Sequence, residues 1–517
     1  MRINNVFRCF LLYFFAMFTA LLILVLVLGY DEQQSLVVKH YQPFKEPERD
    51  LETNGNSNRK KEITDTIKSE VTTKHREPEK TGTREPDITD NKMSDTTDDI
   101  KPEITDPIIL WWTDGNDQPD VYREWGGDRC LITGNRNHTS NPLTKVFMFY
   151  GTTFEYHDLP LPRKPHHEWA LIHDESPKNN FLFSFEEVMT LFNHTSTFRR
   201  ESDYPLVMQL LESSEWLSST KHLLSVKEKR QHAQRLNLAP VIFTNSDCTT
   251  ASDRDGYITK LMKHIQVDSY GLCLHNRDLP EHLRDPLGGM FHKEFYELIA
   301  KYKFAIAFEN GICVDYVTEK FWRPLHVGTI PIVMGSPKIK ELIPSNKSAI
   351  IVDDYDRVKD LAQYLKHLDQ NDEEYEKYFE WKETGISNQY LLKLLKEREW
   401  VSDYFYSSDP EAINFYEGFE RFVCRRIHEN IRRETEGKAK LKFQANVEHY
   451  GCPAPVMVDD NGRRTLQSDT LTESYTMNKY IAKVLRHHID LNLTVDRHSI
   501  LRAVEQIRHV DSKADVR

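Results

Sequence analysis

Residues Cys9 to Gly29 carry no charge and are almost wholly apolar, and no other feature limits the folding of this chain so sharply. A bilayer core takes about 20 such residues. Arg2 and Arg8 precede the run, and Asp31 and Glu32 follow it. Positive charge stays cytoplasmic. The pattern therefore predicts a cytoplasmic tail over 1–8, a transmembrane signal anchor over 9–29 and a lumenal body, the layout of a single-pass type II membrane protein. The alternative is a cleaved signal peptide, but the run is long for one and lacks a small-x-small cleavage site. Residues 30–105 are rich in Lys, Glu, Asp and Thr and nearly free of aromatic side chains. Such a stretch cannot bury enough apolar surface to offset ordering entropy. It reads as a flexible stem or as an acidic interaction tail, and the interspersed signs of charge favour the stem.

A net charge of -12, from 68 Lys+Arg against 80 Asp+Glu, lacks the basic surplus that a nucleic-acid partner requires. Cys9 lies in the apolar run, which leaves Cys130, Cys248, Cys273, Cys313, Cys424 and Cys452 for an oxidising lumen where disulfides persist. Their spacings form neither a zinc ribbon nor a CxxC redox pair. Sequons at Asn137, Asn193, Asn346 and Asn492 agree with lumenal exposure.

The body opens at Pro107–Trp112, a short apolar run with a turn cluster behind it, the pattern of a buried strand. Similar runs follow at Val146–Tyr150 and Trp169–Ile172, separated by long loops. This first part, 106–238, reads as an α/β domain. In the second part, 239–424, strand-like Pro240–Thr244, Val267–Tyr270, Lys303–Glu309, Thr329–Met334 and Ala349–Val352 alternate with helical patterns. These run over Asp253–Ile265 and Phe291–Tyr302, from Tyr316, and over Asp356–Leu368. That alternation predicts a parallel, doubly wound sheet, which binds ligands outside the carboxyl ends of its strands. Residues 425–517 form a charged, partly helical extension.

The chemistry concentrates in Glu309–Lys320, where a strand gives way to a helix. Asp315 is the expected N-cap. A helix from Tyr316 puts Tyr316, Glu319, Lys320 and Arg323 on one face and Val317, Phe321 and Pro324 on the other, with Pro324 kinking or ending it. A helix N-terminus with a cation and an aromatic ring beside it suits a phosphorylated nucleotide; a solvated amphipathic helix with a Glu319–Arg323 pair fits the pattern equally well. Neither GxGxxG nor GxxxxGK[ST] occurs. The Asp353-Asp354 pair reads as a helix-capping loop and not as a metal site. Cys248 and Cys273 lie just beyond two neighbouring strand ends and are expected to pair. Cys313 reads as a small buried hydrophobe, and Cys424 and Cys452 as a pair closing the C-terminal region.

The stretch FAIAFENGICVDYVTEKFWRPLHVGTIPIVMGSP, Phe304–Pro337, resembles the donor-binding motif of glycosyltransferase family 10, the α-1,3-fucosyltransferases. The resemblance spans roughly Ile108 to Cys452. Leu159–Arg163, His173–Asn180 and Leu191–Phe198 resemble a subgroup whose members are also described as protein O-fucosyltransferases acting on EMI domains. The resemblance implies a GT-B arrangement, two Rossmann-like domains facing across a cleft: an N-terminal acceptor domain and a C-terminal domain that binds GDP-β-L-fucose. It implies single-displacement transfer with inversion, no cofactor and no metal. By the same resemblance Lys320 contacts the phosphates, Glu319 the donor sugar or ribose, and Tyr316 and Asn310 shape the nucleotide pocket. Arg254 pairs with the pyrophosphate, a task that suits a bidentate guanidinium, while Asp247 stands where the family has Asn. Glu175, in the family's Glu-Ser-Pro position, is the expected catalytic base. The acceptor is either a Ser/Thr hydroxyl of a folded protein domain or a GlcNAc hydroxyl of an N-glycan, in the Golgi or the endoplasmic reticulum. A catalytically inactive lumenal binding protein or chaperone on the same fold is the alternative.

Overall fold

The central strands of each sheet, such as Ile108–Trp111 and Phe304–Phe308, are wholly apolar runs because both faces are covered, as parallel sheets require. The computed structural model describes residues 105–113, 120–285, 288–401, 412–466 and 469–514. The chain separates into two compact units, 1–98 and 99–517, and all described residues belong to the second. The expected anchor and most of the stem lie outside them. Among the described residues, no helix is long and apolar enough to cross a membrane.

The first sheet contains β1 (Ile108–Trp111), β2 (Val121–Trp125), β3 (Asp128–Thr133), β4 (Thr144–Tyr150), β5 (Glu168–His173) and β6 (His194–Thr197) in the order β2-β3-β1-β4-β5-β6. It is parallel except for the edge pairing of β2 with β3. The second sheet contains β7 (Val241–Phe243), β8 (Val267–Ser269), β9 (Phe304–Phe308), β10 (Ile330–Met334) and β11 (Ile350–Ile351), all parallel, in the order β11-β10-β9-β7-β8. The helices that matter below are α1 (Arg254–Leu261), α2 (Lys293–Ala300), α3 (Glu319–Val327), α4 (Val358–Gln370), α5 (Phe415–Thr435), α6 (Thr470–Asp490) and α7 (Arg497–Ala514). The result is a pair of doubly wound α/β lobes.

The second lobe is covered by its own helices. α1 and α4 pack against Val241, Phe304 and Ile332, and α2 and α3 cover the opposite face. The first lobe is built differently. Alternate residues of β1 and β4 face opposite sides, and the end of the chain contributes to the cover of both. Ile108, Leu110, Phe147 and Phe149 share a core with Phe183, Val188 and Phe192 from the loops after β5, and α6 lies over that layer with Ile481 and Leu485. Ile109, Trp111, Val146 and Met148 meet Phe415, Phe419 and Val423 of α5. The stretch from residue 425 on, expected only as a charged extension, thus fills a core.

The disulfides follow from this return. Cys248 pairs with Cys273 as expected. Cys424 and Cys452 do not pair with each other: Cys424 on α5 bonds Cys130 on β3, and Cys452 bonds Cys313. Cys313 is therefore a cross-link and not merely a buried apolar residue. Asp353-Asp354 forms a 3-10 turn and caps no helix. Asp353 pairs with Arg464 at 2.9 Å and Asp354 with Lys340 at 2.6 Å. Of the sequon residues, Asn137, Asn346 and Asn492 are exposed. Asn193 turns inward: its amide oxygen accepts the Trp169 N–H at 2.9 Å and its amide nitrogen donates to the Phe443 carbonyl at 2.8 Å.

The docking of α5 carries a buried charge. Trp111 Nε1 donates to Glu420 Oε1 at 2.7 Å, and Arg123 lies 3.4 Å from the other oxygen. Burial pushes the Glu420 carboxyl up to about 7, against the Trp111 bond and Arg123. A carboxyl raised in the fold stabilises it in the protonated form, so the contribution is complete at low pH and is lost as pH rises through about 7. Glu420→Gln is expected to raise the thermal midpoint at pH 8 and to leave it nearly unchanged at pH 5. Calorimetry at the two pH values checks this.

Candidate active site

The expected site residues gather where strands end. Glu175 follows β5 of the first lobe. Asn245 and Asp247 follow β7, Glu309 and Asn310 follow β9, and Ser336 follows β10, all in the second lobe. The lobes touch here through named contacts. Gly311 approaches Pro177 so closely that a Cβ would sit 2.7 Å from the Pro177 ring, so only glycine fits. Lys178 Nζ reaches Asp247 Oδ1 at 2.5 Å, and Phe198 packs on Tyr316 with ring centroids 5.0 Å apart.

The loop from Glu309 to Thr318 departs from the expected helix start. α3 begins at Glu319, with Thr318 as its cap. Two features delay it. Glu309, buried at the end of an apolar strand, accepts the Thr318 N–H at 2.7 Å and its hydroxyl at 2.8 Å. Asp315, the expected cap, is 0 % exposed, has φ 64° and faces the other lobe. Arg200, just past β6, donates to it from its backbone N–H (3.1 Å), Nε (2.8 Å) and Nη2 (2.5 Å), and pairs with Glu341 at 2.5 Å. Asp315 donates its own N–H to Ser336 Oγ at 2.9 Å. Pro324 does not end the helix, which runs to Val327 and closes on Gly328 in the left-handed region. Local sequence patterns make Asp315 a helix cap and mark neither Glu309 nor Arg200 for this network. A single charged residue directly after an uninterrupted apolar strand was the one available signal.

At the start of α3, Lys320 Nζ lies 3.1 Å from Thr318 Oγ1, 3.2 Å from Glu319 Oε1 and 3.8 Å from Glu309 Oε2. Burial alone would raise the Glu319 carboxyl, but Lys320 and Arg323, with bonds from Lys320 and Thr318, hold it down at about 2. Burial raises Glu309, with Lys320 opposing. Arg323 is buried, its Nε and Nη2 are without hydrogen-bond partners among the described residues, and burial lowers its pKa. It is the buried counter-charge to Glu319 and is not solvated.

Arg254 opens α1 and is 0 % exposed. Its guanidinium donates to the Phe308 carbonyl at 3.2 Å, to Asn310 Oδ1 and to the Asp247 carbonyl. Asn310 in turn donates to Asp247 Oδ2 at 3.1 Å. Arg254 thus fastens the β7 and β9 loops together and keeps a positive charge beneath them. Burial pulls the guanidinium down, and Asp247, Asp255 and Glu309 oppose this.

Glu175 is half-buried at the lobe boundary. Burial raises its carboxyl; Lys320 and the Ser176 N–H pull it down, and Glu319 and Asp247 push it further up. Tyr316 beside it is buried, with a phenol held well above its ordinary value by burial and by Glu309 and Glu175. A carboxyl poised for proton uptake therefore stands across from a cationic helix start, with a tyrosine between them. That arrangement supports removal of a proton on one side and stabilisation of a developing anion on the other.

This is the architecture of a group-transfer enzyme with two facing lobes, and known proteins identify its class. Residues 105–208 match the family described as "Fucosyltransferase, N-terminal", and residues 234–405 match "Glycosyltransferase family 10 (fucosyltransferase) C-term". The chain is 46% identical over 390 residues to "GDP-fucose protein O-fucosyltransferase 3" of Gallus gallus, covering 75% of this chain and 80% of the relative. It is 44% identical over 391 residues to the Homo sapiens protein of that name, with the same coverage, and 45% over 395 residues to that of Danio rerio. The chain belongs to glycosyltransferase family 10, the fucosyltransferases. A solved structure titled "Crystal Structure of alpha1,3-Fucosyltransferase with GDP-fucose" matches with a TM-score of 0.35 and 16% identity, over 63% of this chain and 92% of that one.

The loop geometry makes a specific demand. Asp315→Asn keeps the shape and tolerates the left-handed conformation but gives up the charge. Arg200→Ala leaves a buried carboxylate unpaired, which costs about 3–5 kcal/mol. Each variant is expected to lower GDP affinity by roughly tenfold or more, and the double variant to lose less than the sum. Titration calorimetry of the three proteins measures that coupling.

Proposed function

We propose that the chain is an inverting fucosyltransferase that moves L-fucose from GDP-β-L-fucose to a hydroxyl of a glycoprotein acceptor in the secretory lumen. The observation that carries the reading is Glu175 standing across from Lys320 and the N-terminus of α3. Glu175 takes the proton of the acceptor hydroxyl as the new C1–O bond forms. The bond from C1 to the phosphate oxygen breaks, and GDP leaves with its electron pair. Lys320, the charge of Arg254 below the loops and the N-terminus of α3 stabilise the growing negative charge. Ionised Glu319 accepts hydroxyls of the donor sugar or ribose, and Asn310 and Tyr316 line the nucleotide pocket. No cofactor or metal enters these steps.

For the acceptor, the relatives' name favours a Ser or Thr hydroxyl on a folded protein domain over GlcNAc of an N-glycan. Three disulfides among the described residues suit an oxidising compartment. We assign the chain to the endoplasmic reticulum or Golgi, held by residues 9–29 as a type II anchor, with glycans on exposed Asn137, Asn346 and Asn492.

The test incubates the full-length chain with labelled GDP-fucose and either a folded EMI-type domain or a free N-glycan. Label on Ser or Thr of the domain is the expected outcome; label on neither acceptor refutes the reading. Glu175→Gln is expected to cut transfer by about 10²- to 10⁴-fold with GDP binding nearly intact. Lys320→Ala should weaken GDP binding itself by roughly 10- to 100-fold.

A further inference from the structure

The segment Val447–Cys452 lies beyond both spans that match the family, yet it is fastened to both lobes. Thr197 Oγ1 donates to the His449 carbonyl, and His449 Nδ1 lies 2.7 Å from Thr195 Oγ1, both on β6. Three residues on, Cys452 is bonded to Cys313 in the loop that precedes α3. Between these anchors Tyr450 is clamped. Its ring stacks on His173 at 5.2 Å and 27°, and lies 5.1 Å from Phe198 and 5.9 Å from Phe183. It is 0 % exposed, and its hydroxyl has no hydrogen-bond partner among the described residues. Native folds rarely leave a buried hydroxyl unpaired without a reason.

His173 ends β5, the strand that carries Asp174 and Glu175, so the ring rests against the root of the proposed base. We propose that Tyr450 is a positioning residue for Glu175: its hydroxyl donates a hydrogen bond to the carboxylate, holding the base aimed at the acceptor. The inference rests on the reading of Glu175 given above. The ring is fixed by stacking and by the cross-link, so the Glu175 side chain does the moving, turning from the Ser176 N–H toward the hydroxyl. The chemistry fits. Burial and the Glu175 charge both hold the Tyr450 phenol well above its ordinary value, so it remains a donor. A donor to the ionised carboxylate offsets the burial that otherwise favours the protonated, inactive form of the base.

The groups that set the Glu175 charge are Lys320 and Glu319 on α3, the Ser176 N–H, Asp247 after β7 with Lys178 bound to it, Tyr316 and Tyr450. Burial lowers His173 to about 3, so it stays neutral. Only the Tyr450 contribution is removed by Tyr450→Phe, which keeps the ring and its packing.

The experiment follows turnover of GDP-fucose by the full-length chain against pH, as transfer to acceptor and as hydrolysis by water. Thermal midpoint and GDP affinity are measured alongside. For Tyr450→Phe, the acid limb of the rate profile should move up by about one pH unit, and kcat should fall roughly tenfold near neutral pH. GDP affinity should be unchanged and the thermal midpoint close to native, since the ring and its packing are kept. A profile that superimposes on the native one overturns the proposal. So does a loss of activity that merely tracks a lowered thermal midpoint. Glu175→Gln, run in parallel, separates the two readings: native activity there refutes the base itself, whereas an inactive Glu175→Gln beside an unshifted Tyr450→Phe profile refutes only the role of Tyr450.

Discussion

The bond between Arg200 and Asp315 is the constraint on which the site's geometry depends. Two unfavourable features meet at Asp315: a carboxylate at 0 % exposure and a left-handed φ of 64° on a residue with a side chain. A buried charge without a partner is expensive, and the left-handed region costs about 1–2 kcal/mol for such a residue. The guanidinium fork of Arg200 answers the first and thereby holds the second in place. Because Arg200 belongs to the lobe opposite, the loop carrying Tyr316 and leading into Glu319 and Lys320 takes its shape only when the two lobes face one another. Phe198 against Tyr316, Pro177 against Gly311 and Lys178 against Asp247 repeat the same coupling at neighbouring positions.

Charge in the cleft follows from that placement. Three carboxylates lie close together, at Glu175, Glu309 and Glu319, and their surroundings drive them apart in character. Glu319 sits beside both Lys320 and Arg323 and stays ionised. Glu309 and Glu175 are pushed up by burial, but for different ends. Glu309 is bound by the backbone and hydroxyl of Thr318 and serves structure. Glu175 is held only loosely and faces the lobe boundary. Of the three, it is the one free both to gain a proton and to move, which is what the role proposed for it asks.

Much of this was legible in the sequence. The second-lobe strands and the strand–helix junction follow from apolar runs bounded by turn residues, because a sheet covered on both faces leaves little room for any other pattern. The start of α3 was misplaced by three residues, since capping rules see only local neighbours. They cannot know that Asp315 is taken by Arg200, more than a hundred residues away in sequence, or that Glu309 claims the Thr318 N–H. The cysteines fail for the same reason. Cys248 and Cys273 are 25 residues apart, on loops after adjacent strands, and spacing found them. The partners of Cys424 and Cys452, 294 and 139 residues away, depend on where the end of the chain folds back. Arg254 lies between the loops after β7 and β9, and its burial was invisible in the sequence: a cation read as facing a ligand spends its bonds on the Phe308 and Asp247 carbonyls and Asn310.

The return of the chain has a consequence for how the two lobes can be stable. The first sheet buries alternate residues of β1 and β4 on opposite sides; α5 covers one face, and α6 and α7 lie over the loops after β5 that cover the other. Residues 106–238 alone would expose the row that faces α5 and would leave the loop layer over the other row without its outer cover. The second lobe, by contrast, carries its own helices. The first lobe is therefore complete only after the last helices have been made, and the cross-link from Cys452 to Cys313 ties that completion to the loop before α3. Fold and site close together: the segment that seals the first core is the one that brings Tyr450 against His173.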